Sequence, residues 1–505
     1  MPTFRSNRFQ PTALAVLAAL ACSQAFAAPI PESGPSDFTL DPSFATSAGS
    51  VYDAIGGVVL NFNDGTYQWD SPIGVFPDGD QYWVASFNRA FTGGDDRLVI
   101  SRLNEDGSSD ASYGTGGNLI VQTHGHRINA ATKSGDRFYL AEAVAGTNAT
   151  DFLVECVNTD GSACAGFGAN GYATFAFDLG ATSIYPRNDD IPLAILAHDN
   201  ALYVAGNVPA DTGNGIGMLK LDASTGALDP AFGNLPSLPG QAHYVPGRMA
   251  SDAQAVIVQG SIAYDENGGA ARVLFSGDAP TDDNGDTNGY VAAVDAATGA
   301  LQPGFGEQGF AYAALHDGEN FSQTPLNSIH VRADGHILAA GTYTYDVDNI
   351  TNPEVLLAQF DADGTPTASF GSNGVSHLLI GYNTFGLGVT ERDNGDVVVT
   401  LSDTNLFPAQ NAPICHSALL QTDRNGNTIH ALQEFFYVSD AVDTATCSMP
   451  ITQGVFIDSQ NRTLVFGSRN WQSIPRNGIN DIDATLTRFT AEDSLFSSGF
   501  EGTAN

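Results

Sequence analysis

Residues 361–375 read DADGTPTASFGSNGV: an Asp-Gly turn, then an aromatic, then a glycine-rich step into a strand. Nearly the same phrase stands at 104–120 (NEDGSSDASYGTGGNLI), 158–174 (NTDGSACAGFGANGYAT) and 294–310 (VDAATGALQPGFGEQGF). Recurrence at such a spacing marks a repeat architecture in which each copy is one supersecondary unit. Ahead of the phrases lie short apolar runs: RLVISRL (97–103), DFLVECV (151–157), YVAAVD (290–295) and VLLAQFD (355–361). GMLKLD (217–222), ALLQTD (418–423) and ATLTRF (484–489) complete a set of seven. They read as buried strands. Upstream of each, two further strands meet at a tight turn, as in AATKSGDRFYLAE (130–142), IHVRADGHILAAG (329–341) and GVFIDSQNRTLVFG (454–467). A fourth strand follows the aromatic step, as in VSHLLIG (375–381).

Four antiparallel strands per unit and seven units predict an all-β fold, a seven-bladed β-propeller. The anchor aromatics are Phe44, Tyr113, Phe167, Phe232, Phe305, Phe370 and, in a degenerate copy, Phe435 or Phe436. One such ring buries ~150–250 Å², which assigns these side chains to packing between blades. The repeat starts late, at LDPSF (40–44), and stops early, after 489. The last blade is therefore expected to take its fourth strand from the N-terminal stretch SVYDAIG (50–56), which closes the ring without a free edge.

LLAQFDADGTPTASFGSNG (356–374), SIHVRADGHILAAG (328–341) and LVISRLNEDGSSDASYGTGG (98–117) resemble delta-60 repeats. The resemblance runs from about 38 to 490. It implies an exported or surface-associated bacterial propeller and supplies no catalytic residues. HDNALYVAG (198–206) and TDRNGNTIHALQEFF (422–436) depart from the pattern, which blurs blade boundaries there.

Arg5 and Arg8, the apolar run from Ala13 to Leu20 and the small residues Ala25 and Ala27 read as an export signal over 1–27. Residues 28–37 form a short linker, 38–492 the propeller and 493–505 a tail. No later apolar run approaches the ~20 residues of a membrane span. Without Arg5 and Arg8, 17 basic and 56 acidic side chains remain, a net charge near −39. Such a surface repels nucleic acid and anionic membranes. Four cysteines remain in an oxidising location, and the expected pairs are Cys156–Cys164 and Cys415–Cys447.

No G-x-S-x-G, H-E-x-x-H or phosphate-binding glycine loop is present. Propellers carry their sites in loops at one end of the ring. In TDDNGDTNG (281–289), Asp282, Asn284, Asp286 and Asn288 alternate as hard oxygen ligands suited to calcium. The fit is partial: Thr287 stands where a glycine is expected and Ala293 where a closing glutamate belongs. In Thr123-His124-Gly125-His126-Arg127, two histidines could transfer protons if a carboxylate oriented one of them. Trp471, Tyr343, Tyr345 and Phe91 stand in the same class of loops.

Three functions fit. The first is an exported binding or scaffold module, a monomer that takes a glycan, peptide or cation at its loop-rich face. The second is a hydrolase or lyase acting on an extracellular polymer through carboxylates at the channel mouth. The third is a surface or adhesion component held by calcium.

Overall fold

A computed structural model describes residues 40–45, 56–62, 68–90, 93–147, 149–180, 189–211, 215–247, 256–266, 269–280, 286–313, 315, 322–347, 350–378, 384–403, 416–435, 451–471 and 481–490. Among them every regular element is a strand. The first, β1, is Gly57–Leu60. A meander follows: β2 (Gln68–Asp78), β3 (Gln81–Ala90), β4 (Arg97–Asn104), β5 (Asn118–Gln122). The next two are β6 (Arg127–Ser134), β7 (Arg137–Ala145), β8 (Thr150–Asn158), β9 (Tyr172–Phe175), and β10 (Ile191–His198), β11 (Ala201–Val208), β12 (Gly215–Asp222), β13 (Gln241–Tyr244). Then come β14 (Val256–Asp265), β15 (Arg272–Pro280), β16 (Thr287–Asp295) and β17 (Phe310–Ala313). The two-residue β18 (Ser322–Gln323) precedes β19 (Leu326–Val331), β20 (Ile337–Val347), β21 (Ile350–Phe360) and β22 (Val375–Leu378). The chain ends with β23 (Thr384–Glu391), β24 (Val397–Asp403), β25 (His416–Thr422), β26 (Thr428–Phe435), and β27 (Ile451–Ile457), β28 (Thr463–Trp471), β29 (Asp481–Phe489).

Each meander is antiparallel, and the first strand of each packs on the first strand of the next. β2 lies against β6, β6 against β10, β10 against β14, β14 against β19, β19 against β23, β23 against β27, and β27 against β2. This is the arrangement of a β-propeller. A space of about 660 Å³ lies among these strands, lined by Ile73, Asn129, Ile195, Ile329, Val389 and Val455. β18 stitches two meanders together by pairing with both β16 and β20, and Trp69 pairs with Ile482 in parallel to join two more.

The first and last described strands meet. β1 pairs antiparallel with β29, Gly57 opposite Thr487. The closing strand thus begins after the expected 50–56: Gly56 is a turn, and 51–55 lie outside the described residues. Leu40 bridges Phe489, and Arg488 grips Asp41 at 2.7 Å.

The recurring phrase packs as one device. Phe44, Phe167, Phe232, Phe305 and Phe370 are buried. Phe167 seats on Gly226 in the turn of the next meander, Phe232 on Gly299, Phe305 on Gly364 and Phe370 on Gly426. Gly226 has φ +69°, which excludes most side chains, and a Cβ there would stand 3.0 Å from the Phe167 ring. The residue after each aromatic donates its N–H to that next turn: Gly168 to Thr225, Gly233 to Thr298, Gly306 to Asp363 and Gly371 to Asn425, at 2.7–2.8 Å. Phe44 does the same across the chain ends, seated on Gly107, with Ala45 bonded to Asp106. Tyr113 is half-buried and reaches Thr159 through its hydroxyl instead, at 2.5 Å. The side chains of Phe435 and Phe436 lie outside the description.

Cys156 and Cys164 are disulfide-bonded across the turn of one meander. Cys415 and Cys447 lie outside the described residues.

Candidate functional site

The hairpin turns between first and second strands share one end of the meanders, the turn end, with the links between third and fourth strands; the loops between second and third strands share the other end with the connections between meanders. At this loop end, residues 123–126 link β5 to β6, whose first residue is Arg127. The segment 123–127 is fixed almost wholly by acids. Gly125 N–H donates to Glu142 Oε2 at 2.7 Å, and His124 N–H to Glu155 Oε2 at 2.9 Å. His124 Nδ1 lies 3.1 Å from Glu155 Oε1, and His126 Nδ1 2.5 Å from Asp95 Oδ1. Ile128 N–H donates to Asp96 Oδ2 at 2.9 Å, and Asp96 is also held by Arg89 at 2.5 and 2.8 Å.

All of these acids but the exposed Asp95 are interior groups. Glu142 is 0% exposed and Glu155 3%, on neighbouring strands β7 and β8 and on the face they turn toward the preceding meander. Burial, then the neighbouring Glu155 charge, pushes the Glu142 carboxyl well above the usual carboxylate range. Asp96 adds to the same effect. No donor reaches Glu142 Oε1. A proton on that oxygen removes the need for one and turns it into a donor toward the carboxylate beside it.

His124 is the outward-facing member. Its ring stacks on Tyr172, centroids 4.2 Å apart, and its side chain is 42% exposed while Glu155 beneath it is buried. A buried carboxylate at Nδ1 fixes the ring orientation and leaves Nε2 toward solvent, an arrangement suited to moving a proton. Beside it, His126, Arg127, Ala143, Ala149, Thr150 and Asp189 line a cleft of about 460 Å³. Asp189 Oδ1 accepts from Thr150 N–H at 3.1 Å. Next along the chain Asp190 is buried, and burial pushes its carboxyl up to about 7.

The other sequence candidates fall elsewhere. Asp286 and Asn288 are buried near β16, and Asp286 Oδ1 accepts from Ser322 N–H at 2.7 Å. Asp282 and Asn284 lie outside the described residues. Tyr343 is fully buried and stacks on Tyr345, whose hydroxyl donates to Glu354. Phe91 and the Trp471 side chain lie outside the description. Among the described residues no group of three or more His, Cys, Asp or Glu could hold a metal ion. None of those lining the central space is a carboxylate.

Glu142 and Glu155 were not singled out from sequence, although a signal exists. Glu142 occupies the position, directly before the register shift, that holds Gly206, Gly277, Gly341 and Gly467 in four of the other six hairpins and Ser86 and Leu401 in the remaining two. One repeat thus replaces a glycine with a buried acid, and the connection above it supplies Gly125, where a Cβ would overlap the Glu142 carboxylate.

Residues 332–370 match a family described as a domain of unknown function (DUF5122), beta-propeller. No curated protein sequence matches the chain. Among solved structures the fold is similar to the polysaccharide lyase Uly1, at 9% identity and TM-score 0.42, covering 90% of this chain and 98% of that one. It is also similar to a PL25 ulvan lyase, at 11% identity and TM-score 0.43, covering 85% and 98%. The N-terminal domain of Nup159 is similar too, at 9% identity and TM-score 0.39, covering 86% and 96%. At these values nothing about chemistry passes from those proteins to this chain.

Proposed function

We propose that the chain is an exported, seven-bladed propeller, its last blade closed by β1, that binds an extracellular ligand at its loop end. The count is supported by the cycle of first strands from β2 round to β27 and back. Export is supported by the sequence of residues 1–27. The observation that carries the binding reading is the polar cleft over β7 and β8, with His126, Arg127 and Asp189 in its wall. Loops on a rigid ring are where binding groups are usually placed. The test is capture on panels of immobilised polysaccharides and peptides. Wild type is expected to be retained on at least one, and a His126→Ala, Arg127→Ala double variant is not. Equal retention of both proteins would overturn the reading.

The exposed His124, oriented by buried Glu155, favours a second reading: acid–base chemistry on the bound polymer. This moves the enzyme hypothesis from the channel mouth to the loop end of β7 and β8. It predicts that His124→Ala abolishes turnover of a captured polymer without abolishing capture. Turnover by His124→Ala at the wild-type rate would refute it.

A further inference from the structure

The wall of the cleft is a segment whose anchors are ionisable. Residues 123–126 have no regular structure between β5 and β6, and Arg127 opens β6. Their backbone is held by Glu142 through Gly125, by Glu155 through His124, and by strand β7 through His126 N–H to Ala143 O. Thr123 adds a hydroxyl bond to Asp96 O. His126 and Arg127, the cleft residues, follow directly.

We propose that Glu142 is a positioning residue whose proton sets the placement of 123–127, so that the loop-end cleft is formed when Glu142 is neutral and loosened when it ionises. The inference rests on the binding reading for its functional meaning, but the movement it describes does not need a ligand.

The geometry gives the direction. With Glu142 neutral, the Glu142–Glu155 pair carries one negative charge, and the proton lets the two carboxyls share a hydrogen bond. Losing that proton puts two carboxylates side by side in a fully buried layer, with the Asp96 carboxylate contributing the same sign. The cations in reach are committed elsewhere. Arg89 forms two bonds to Asp96; Arg127 stands 3.7 Å from Asp96 and donates to Gly94 O and His126 O. His124 faces Glu155, and His126 faces Asp95. The repulsion is relieved by hydrating the pair, and the segment lying over it, 123–127, is what must move to admit water. None of the other six hairpins has an acid at this position: four have glycine, one Ser86 and one Leu401, so the ring can be built without an acid there.

The test is hydrogen exchange of the full mature protein, read on a peptide spanning 121–131 and corrected for intrinsic rate, from mildly acidic to alkaline pH. A peptide spanning 361–375 at the turn end serves as internal control. Wild type is expected to lose protection of 121–131 at least tenfold as pH rises, with the control flat. Glu142→Gln, which keeps the acceptor for Gly125 N–H and offers a permanent donor to Glu155, is expected to hold protection across the range. If Glu142→Gln fails to fold, Glu142→Gly serves instead and is expected to remove the pH dependence. Constant protection in wild type, or a fall in Glu142→Gln that tracks wild type, overturns the proposal. The same exchange profile with no ligand captured on any panel would sink the binding reading and leave the proton-linked movement standing.

Discussion

The two ends of the blades treat acids in opposite ways. At the turn end, aspartates either sit in solvent-facing turns and accept bonds from neighbouring serines and threonines or, as the buried Asp41, Asp265 and Asp458 do, pair with Arg488, Arg272 and Arg462. The Ser108 hydroxyl holds Asp106 below the usual carboxylate range, the Ser162 hydroxyl holds Asp160 there, and the Thr365 N–H does the same for Asp363. At the loop end Asp95 is exposed, but burial, complete at Glu142 and Asp190 and partial at Asp151 and Asp278, pushes those four carboxyls upward. The turn-end carboxylates are satisfied as anions and support the fold. At the loop end, burial shifts Glu142, Asp151, Asp190 and Asp278 toward the protonated form. Carboxyls shifted in this direction are what the proposed binding role of the loop end would draw on.

The largest effect that tests this division is loss of an anchor ring. Phe305 is 1% exposed and seats on the turn of the next blade. Phe305→Ala is expected to cost about 3–5 kcal/mol in denaturant unfolding, without altering ligand capture. A cost below about 1 kcal/mol would show that the turn end is not what holds neighbouring blades together.

A smaller effect isolates the glycine beneath such a ring. Gly226→Ala meets both a positive φ and the Phe167 ring, whereas Gly135 has φ +55° with nothing within 4 Å of a Cβ. Both substitutions carry a backbone cost of about 1–2 kcal/mol, and Gly226→Ala is expected to exceed Gly135→Ala. Equal losses in thermal melts would mean that the ring yields freely.

The smallest effect separates the ends by pH. Asp190 keeps its proton in the folded chain up to about 7, against an ordinary value of 3.8. Its contribution is therefore greatest below that ordinary value and declines as pH rises toward about 7. Asp106 and Asp160 have the opposite sign: their contribution is present above the ordinary value and lost on acidification. Asp190→Asn is expected to flatten the decline in stability toward neutral pH, and Asp106→Asn to flatten the loss in acid. A stability profile unchanged by either would remove the contrast.

The turn end was legible in the sequence because it repeats. Phe370, Gly364 and the Asp-Gly turns recur in nearly every copy, and period and turn chemistry suffice to place them. The strand that closes the ring was legible in kind and displaced in position, because LDPSF (40–44) fixes the phase of the repeat but not the length of the link to Gly57. The histidine pair at 124 and 126 stood out as residues. Their partners did not, because Glu142 and Glu155 sit inside apolar strands where only a position-by-position comparison of hairpins exposes them. Asp95 precedes β4 and meets His126 only through the packing of two blades.

The most direct test compares the two ends on one assay. Arg127 lines the loop-end cleft, and Arg424 is an exposed arginine paired with Asp334 at the turn end. Arg127→Ala and Arg424→Ala should melt within a degree or two of wild type, since exposed charge pairs contribute about 0–1 kcal/mol. Capture on the panel that retains wild type is the measurement. Loss of capture with Arg127→Ala and full capture with Arg424→Ala is the predicted result. Full capture by Arg127→Ala, or loss with Arg424→Ala, would contradict the assignment of function to the loop end.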